Sequence, residues 1–214
     1  MGDLIHLRKH WTAPQRRSSE TVPVFFFDVS CPLSYLTAEG IERRLGEVEW
    51  VAVDGSAVRS PGAERSLEGL RTRADATARA LRLPLVWPER FPDATPCAMR
   101  ASAFACEIGA GASFALAAGR LAFCGGFDLE DPETLAEAAA AGGVPLEACL
   151  AAAGEMWRDA ELQATATMLR DHGVHELPAM RIGGRWVSGE WGVPAARALR
   201  CQRRSAQRPL APVG

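Results

Sequence analysis

The sequence FFFDVSCPLSYL spans residues 25–36 and joins an apolar segment to a helical one through a cysteine. The run PVFFFDV is short, rich in β-prone residues and apolar at successive positions, which predicts a strand buried on both faces. Cys31 closes this segment and Pro32 follows it directly. Proline is favoured in the first turn of a helix, where its missing N–H has no partner to lose. The stretch therefore predicts a thiol at the N-terminus of a helix.

That position has a chemical consequence for the Cys31 thiol. A helix N-terminus presents unpaired N–H groups and a positive dipole end, and both stabilise a thiolate. The pKa of a cysteine can fall there from about 8.5 to roughly 3.5–7.5. Ser34 follows three residues later on the same helical face, so its hydroxyl can hydrogen-bond to the sulfur. We therefore predict Cys31, with a lowered pKa, and Ser34 as catalytic residues. The alternative is an inert core thiol, because cysteine is among the most buried residue types.

Strand and helix signals flank a long helical block. A partial apolar stripe ending at Gly46 predicts a helix through LSYLTAEGIERRLG, and EVEWVAVD predicts a second strand. Strand composition returns in LPAMRIGG and RWVSG, between which Gly183-Gly184 fits a two-residue hairpin turn. A last helix is predicted at VPAARALRCQRR, residues 193–204.

The block between the strands is helical in pattern. Several of its segments begin at proline, and AFACEIGAGASFALAAG, residues 103–119, predicts one buried helix. The order is thus β-α-β, a helical block, then α-β-β-α, which indicates an α/β sheet domain carrying an insertion. The predicted parts are a basic, poorly ordered arm at 1–20, a sheet domain at 21–56 and 160–202, a helical insertion domain at 57–159, and a tail at 203–214.

Composition narrows the classes of function. The 214 residues are 48% hydrophobic and 23% charged, which is typical of a soluble globular protein. The net charge of −2, without a basic stripe, argues against nucleic acid as a partner. Because no apolar run approaches about 18 residues, no membrane span is expected. The first residues lack an export signal, so we expect a cytoplasmic protein with free thiols.

The cysteine spacing argues against a metal site and against a dithiol. The six cysteines contain no CxxC and no paired metal-ligand pattern. Cys97 could reach the Cys31 pocket as a resolving thiol, although ordinary burial is the alternative. Core filling is expected for three others and an exposed position for the last (Cys106, Cys124, Cys149; Cys201).

A second feature lies far downstream, at Leu177-Pro178. Proline at the start of a strand has an ordinary explanation, because it gives no hydrogen bond to the ladder. It also has a functional explanation, a cis peptide bond that leaves the preceding residue's backbone groups free to bind an extended ligand. Near it, His172 and His175 are candidates either for a general base or for charges at a helix C-terminus. Three tryptophans could line a pocket or pack in the core (Trp87, Trp186, Trp191).

The combination resembles the thioredoxin-fold family that includes DsbA. It is most similar to the branch of the 2-hydroxychromene-2-carboxylate isomerases and kappa-class glutathione transferases. That branch ends its first strand in a pattern like D-x-x-S-P-Y-S-[WY]. Residues 28–35 read DVSCPLSY, with Cys31 where the branch carries its catalytic serine. The likeness covers about residues 23–200 and implies an α/β fold, a thioredoxin-like domain with an α-helical insertion domain.

The resemblance also implies ligands. It suggests glutathione or another thiol-bearing small molecule, with no tightly bound cofactor. The expected ligand-binding residues are Pro32, Leu177, Pro178 and Glu190. Members of the isomerase branch are often dimers, so a homodimer is expected.

Three departures from the family pattern bear on the activity. Ser34 stands where DsbA-type enzymes carry a second cysteine, so a mixed disulfide on Cys31 would need an external thiol to resolve it. The Asp-Arg pair after the last strand is replaced in the stretch 189–192, GEWG, and the family's Asn-Thr is Ala94-Thr95.

Three functions are consistent with this sequence. The leading one is a DsbA-family thiol-disulfide oxidoreductase that uses Cys31 alone, opposite a cis Pro178, and the other two are alternatives. The second is a glutathione-dependent isomerase or transferase, in which Cys31 stabilises the glutathione thiolate without reacting. The third is a non-catalytic binding module, because a fold does not fix a function.

Overall fold

A computed structural model describes residues 22–59 and 67–189. The predicted arm, the predicted last helix at 193–204 and the tail lie outside these ranges, as do Glu190, Trp191 and Cys201. The elements in chain order are β1 (Val24–Phe27), α1 (Pro32–Ala38), α2 (Ile41–Leu45), β2 (Glu49–Ala52), α3 (Gly55–Val58), α4 (Leu67–Leu81), α5 (Pro96–Glu107), α6 (Gly111–Gly125), α7 (Pro132–Gly142), α8 (Leu146–Ala153), α9 (Arg158–Asp171), β3 (Ala179–Ile182) and β4 (Arg185–Ser188).

The four strands form one mixed sheet in the order β2-β1-β3-β4. β1 pairs parallel with β2 and antiparallel with β3, and β3 pairs antiparallel with β4. The predicted strands are confirmed, and so is the hairpin. Gly183 and Gly184 join β3 to β4 with φ of 51° and 80°, the left-handed pair that a type I′ turn requires.

β1 is buried on both faces, as its composition predicts. Phe25 and Phe27 belong to a large hydrophobic cluster that continues through α1 and α5–α8. Val24 and Phe26 belong to a smaller cluster with α3 and α9. Burying each phenylalanine contributes roughly 1.5–3 kcal/mol. The large cluster therefore joins the sheet to the helical block, and β1 lies between the two clusters.

The helix after Cys31 begins at Pro32, as predicted, but it is interrupted. α1 ends at Ala38, and α2 begins after Gly40, so the predicted single helix is wrong. The apolar stripe is nevertheless buried throughout; its members are Leu33, Leu36, Ile41 and Leu45. Gly46, with φ of 74°, ends α2 at the predicted position.

The single buried helix predicted at residues 103–119 is also wrong. The segment forms the end of α5 and the start of α6, which meet at Gly109. The φ of Gly109 is 81°, a left-handed conformation that ends a helix and that glycine adopts without steric cost. None of the helices within residues 22–59 and 67–189 is long and apolar enough to cross a membrane.

Close packing of α6 against α7 gives a test of the core. A Cβ atom added at Gly142 would lie 2.8 Å from the Cα and 3.0 Å from the N of Phe114, which are backbone atoms. We expect Gly142→Ala to lower the free energy of unfolding by about 1–3 kcal/mol, because the helices must separate. Urea denaturation measures this change. In the control, Gly69→Ala in α4, the new Cβ meets nothing within 4 Å, so stability should be kept or raised by up to about 1 kcal/mol. Equal effects of the two substitutions would contradict the packing argument.

Candidate functional site

Cys31 occupies the N-cap position of α1. Its backbone is extended, with φ of −92° and ψ of 114°, and Pro32 supplies the first helical residue. The Cys31 N–H donates to the carbonyl of Asp28 at 3.1 Å, and the Tyr35 N–H donates to the carbonyl of Cys31 at 3.1 Å. The side chain is half-buried and contacts both hydrophobic clusters. The sulfur thus lies beyond the end of β1, in contact with the hydrophobic clusters on both faces of the sheet.

The Leu177-Pro178 segment lies beside this cysteine. β1 and β3 are antiparallel, and Phe26 is paired with Ala179, so the residues before β3 lie beside the residues that follow β1. The Cys31 Sγ is 3.9 Å from the carbonyl oxygen of Leu177 and is placed to donate to it. The Leu177–Pro178 peptide bond is cis. The two motifs singled out in the sequence therefore form one site.

The expected lowering of the Cys31 pKa is wrong, because burial raises the pKa of this thiol and the negative charge of Asp28 raises it further. Hydrogen bonds from the Ser34 hydroxyl and from the N–H groups of Ser34 and Leu33 act in the opposite direction but are smaller. The helix N-terminus does contact the sulfur, as the sequence suggested. These hydrogen bonds do not outweigh burial and the Asp28 charge, so the net shift of the Cys31 pKa favours the protonated thiol.

Asp28 is a site residue that the sequence analysis did not single out. It is buried, with 6% of its surface exposed, and burial raises its pKa. Its Oδ1 accepts from the Ser30 N–H and the Ser30 hydroxyl, both at 2.7 Å, and its Oδ2 accepts from the Gly55 N–H at 2.9 Å. A Cβ at Gly55 would lie 2.8 Å from that Oδ2 and 3.2 Å from Leu177 Cδ1. The available signal was an acidic residue directly after three phenylalanines.

The other predicted site residues divide into two groups. Pro32 and Ser34 are buried in α1 beside Cys31, and the Ser34 hydroxyl also accepts from the Asp28 N–H at 3.4 Å. The structure thus brings together Cys31, Pro32, Ser34, Leu177 and Pro178. Glu190 lies outside the described residues.

A polar cavity of about 280 Å³ lies next to this cluster. It reaches Ser30, the residue before Cys31, and extends between α3, the N-terminus of α5 and α9. Its polar lining comes from both the sheet side and the helical block; the members are Asp28, Ser30, Asp54, Ser56, Arg59, Asp93, Thr95, Asp159 and Gln163.

Thr95 gives this cavity an unpaired hydroxyl. It is the N-cap residue of α5, yet its side chain makes no capping hydrogen bond. The carboxylate of Glu130 takes that role by accepting from the N–H groups of Cys97 and Ala98 at 3.0 and 3.3 Å. The Thr95 Oγ1 is consequently buried without a hydrogen-bond partner. Such an atom costs about 1–3 kcal/mol unless a bound molecule satisfies it.

A second, smaller cavity of about 30 Å³ shares Ser30 and Thr95 with the first. Its wall is mainly apolar and includes Phe91, Phe123 and Phe127. This volume holds about one water molecule. The half-exposed Phe127 ring lies on its wall, and movement of that ring would enlarge it.

The remaining cysteines are free thiols wherever the structure describes them. Burial raises the pKa of Cys97, and so does its hydrogen bond to Glu130. Cys124 is half-buried and lies 3.0 Å from the Tyr35 hydroxyl, while Cys149 is fully buried. Within the described ranges, no group of three or more His, Cys, Asp or Glu side chains could hold a metal ion.

The candidate histidine and tryptophans make packing contacts. His172 caps the C-terminus of α9, and its Nδ1 lies 2.8 Å from the Met168 carbonyl oxygen. Its ring packs against Trp186 with centroids 4.9 Å apart. Trp87 packs against Phe91 at 4.9 Å.

Comparison with known proteins identifies the fold. No family model matches the chain, and no curated protein matches it in sequence. Among solved structures, a 2-hydroxychromene-2-carboxylate isomerase superposes with a TM-score of 0.67 at 14% identity, covering 88% of this chain and 100% of its own. A probable DsbA oxidoreductase from Streptomyces coelicolor gives 0.70 at 19%, covering 89% and 93%. A candidate protein disulfide isomerase from Nitrosomonas europaea gives 0.64 at 16%, covering 87% and 100%.

These similarities confirm the fold that the sequence predicted. The chain has the DsbA-like thioredoxin fold, an α/β structure with a four-stranded mixed sheet. The domain boundaries remain a prediction.

The charge of Asp28 makes a testable contribution to the Cys31 thiol. We expect Asp28→Asn to lower the pKa of Cys31, because the negative charge is removed while burial remains. The pH dependence of Cys31 alkylation by iodoacetamide, followed by peptide mass spectrometry, measures this pKa. As a control, Asp131→Asn at the N-cap of α7 should leave it unchanged, since asparagine also caps a helix. An unchanged alkylation midpoint in Asp28→Asn would rule out this electrostatic contribution.

Proposed function

We propose that this protein is a thiol enzyme that binds a thiol-bearing small molecule, with glutathione the expected one, between the N-terminus of α1 and Leu177-Pro178. The observation that carries the proposal is the position of the Cys31 sulfur, 3.9 Å from the Leu177 carbonyl oxygen and within reach of α1 N–H groups. These N–H groups and this carbonyl contact Cys31 itself, so a ligand sulfur and its backbone would bind by sharing or replacing these contacts.

The favoured activity is that of a glutathione-dependent isomerase or transferase. Because the raised pKa of Cys31 favours the protonated thiol, its S–H group can donate a hydrogen bond to a ligand thiolate. The N–H groups of Leu33 and Ser34 and the positive end of α1 would stabilise the same charge. The ligand thiolate then adds to an unsaturated substrate, and Cys31 is not consumed. This is the donor role that the resemblance assigns to a serine at the same position.

Two further features support this activity. The wall of the smaller cavity, which includes Phe91 and Phe123, is apolar, and an apolar acceptor would bind there once the cavity of about 30 Å³ had opened. Thr95 lines both cavities, and its buried hydroxyl lacks a protein partner among the described residues. A bound ligand would satisfy it.

The second candidate is a DsbA-family thiol-disulfide oxidoreductase with a single cysteine. Its support is that Cys31 is a free and half-exposed thiol. After losing its proton, Cys31 would attack a disulfide, forming a mixed disulfide and releasing one thiolate. A second external thiol would then displace Cys31, because Ser34 cannot. The raised pKa of Cys31 makes this exchange accelerate as pH rises above neutrality, because the thiolate fraction grows.

Two substitutions at Cys31 separate these activities. Cys31→Ser keeps a hydrogen-bond donor, whereas Cys31→Ala removes it. If the protein is an isomerase or transferase, we expect Cys31→Ser to bind glutathione and to lower the pKa of the bound glutathione thiol. We expect Cys31→Ala to bind glutathione without lowering that pKa. The absorbance of the thiolate near 240 nm and calorimetry measure these quantities.

The oxidoreductase predicts a different pattern. Wild type would form a mixed disulfide with oxidised glutathione, detectable by mass spectrometry, and both variants would lose it equally. If wild type neither binds glutathione nor forms the mixed disulfide, the proposed enzyme function is wrong and a non-catalytic binding module is favoured.

Thr95 gives a test with opposite effects on stability and binding. Thr95→Val removes an unpaired buried hydroxyl at nearly constant volume, so we expect the free energy of unfolding to rise by about 1 kcal/mol while glutathione affinity falls. Urea denaturation and calorimetry measure the two effects. The control is Thr134→Val, whose hydroxyl donates to Asp131 at 3.0 Å. It should destabilise the protein and leave glutathione affinity unchanged. A Thr95→Val variant with unaltered affinity would remove Thr95 from the ligand site.

A further inference from the structure

The smaller cavity is too small for an organic ligand, although it lies beside the candidate site. Its volume of about 30 Å³ holds one water molecule, whereas a benzene-sized molecule needs about 150 Å³. The cavity reaches Ser30, the residue before Cys31, and three phenylalanine rings line it, those of Phe91, Phe123 and Phe127. An apolar molecule can therefore enter it only if part of its wall moves.

Two of the three rings are held in place by other aromatic side chains. Phe123 is 1% exposed and stacks with Tyr35, with ring centroids 5.7 Å apart. Phe91 packs against Phe123 at 6.3 Å and against Trp87 at 4.9 Å. Both rings are part of the large hydrophobic cluster or pack on it, so moving either would open a void in the core.

The third ring, that of Phe127, is held less firmly. Phe127 follows Gly126, the left-handed residue that ends α6, and 52% of its surface is exposed. Its ring lies directly on the backbone of Gly125, where an added Cβ would collide with the ring atoms Cδ2 and Cε2. No aromatic contact among the described residues includes Phe127. A half-exposed ring that rests on a glycine can change rotamer with little loss of buried surface, so Phe127 is the part of the wall that moves most easily.

An ion pair joins the two loops on either side of this cavity. Arg90 donates from Nη1 to Asp128 Oδ2 at 3.0 Å, which connects the loop before α5 to the loop between α6 and α7. Arg90 also donates from Nε to Asp93 Oδ2 at 3.3 Å, within its own loop. Because Asp93 remains a partner, Arg90 can release Asp128 without leaving its charge unpaired. The Arg90 side chain is 61% exposed, so water replaces the lost contact at little cost.

We propose that Phe127 and the Arg90–Asp128 ion pair form a gate to the smaller cavity, through which a neutral, planar apolar molecule enters. When the ion pair opens, the loop that carries Phe127 separates from the loop before α5, and the ring leaves the wall. The entering molecule then contacts the two fixed rings and reaches the side of the cavity formed by Ser30. It is neutral because the inner wall is apolar and the charges at the gate are already paired with each other.

The identity of this molecule as the acceptor of the thiol reaction rests on the proposed function. The gate does not, because its residues lie outside the site formed by Cys31 and Leu177-Pro178. The gate adds a control that the sulfur chemistry does not contain. Entry of the acceptor depends on one phenylalanine ring and on an exposed ion pair, and it therefore depends on ionic strength.

A neutral fluorescent probe, N-phenyl-1-naphthylamine, tests the gate without any thiol. We expect wild type to bind the probe weakly, with an affinity that rises from low salt to about 0.5 M NaCl, because salt screens the exposed ion pair. Arg90→Gln should raise the affinity at low salt by roughly two- to fivefold, as for loss of one exposed ion pair, and should remove most of the salt dependence. Phe127→Ala should raise the affinity and also the association rate, which stopped-flow fluorescence measures.

The matched control is Arg120→Gln. The Arg120 side chain is 57% exposed and also joins two elements, since it donates to both oxygens of Glu39 at 2.6 and 2.8 Å, but it does not line either cavity. This substitution should leave the affinity of the probe and its salt dependence unchanged. Hydrogen exchange followed by mass spectrometry should locate the bound probe at residues 86–95 and 121–131.

Several results would overturn the gate. If Phe127→Ala weakens the probe, the ring is a fixed wall that the probe needs. Equal effects of Arg90→Gln and Arg120→Gln would remove the ion pair from the gate, and protection of other segments would place the probe elsewhere. Absence of probe binding in wild type and in both gate variants would also contradict it. Because none of these measurements uses glutathione, the gate and the proposed function can fail separately.

Discussion

The candidate site depends on the antiparallel pairing of β1 with β3. This pairing brings residues 177 and 31 together although 146 positions separate them in the chain. β1 is held by apolar side chains on both faces, so neither motif can shift along the sheet without moving phenylalanines out of the core. The same constraint explains the compact arrangement behind Cys31. Asp28 follows β1, Gly55 follows β2, and the absence of a Cβ at Gly55 lets the Asp28 carboxylate and the Leu177 side chain pack against it.

Two opposing effects determine the chemistry of the sulfur. The N-terminus of α1 favours a thiolate, whereas apolar packing and the Asp28 charge favour the thiol, and the second pair is stronger. In a thioredoxin-type fold, this balance decides between a nucleophile and a hydrogen-bond donor. Under the proposed function, Cys31 acts as the donor, as a serine would, and the ligand brings the reacting sulfur.

The sequence was sufficient to predict the strands, the hairpin, the start of α1 and the association of Cys31 with Leu177-Pro178. These depend on local patterns, such as Pro32 at a helix start and two glycines at a turn. The break at Gly109 was missed because the alanine-rich composition on both sides of it is helical throughout. The direction of the Cys31 pKa was missed because it depends on side chains from distant segments that surround the sulfur. Thr95 was noted only as part of the Ala94-Thr95 stretch, in which Ala94 departs from a family pattern, because the lack of a partner for its hydroxyl is decided by Glu130, far along the chain.

The remote cap of α5 has a consequence for how the protein folds. Most helices satisfy their first N–H groups with a side chain from the adjoining residue, so the cap forms together with the helix. In α5, the acceptor is 33 positions away from Cys97, beyond the whole of α6. The first turn of α5 therefore gains its cap only when the loop before α7 has closed onto it, and a peptide of this helix alone would have a frayed start. Because Glu130 provides the cap, the Thr95 hydroxyl beside it makes no capping hydrogen bond and has no partner among the described residues.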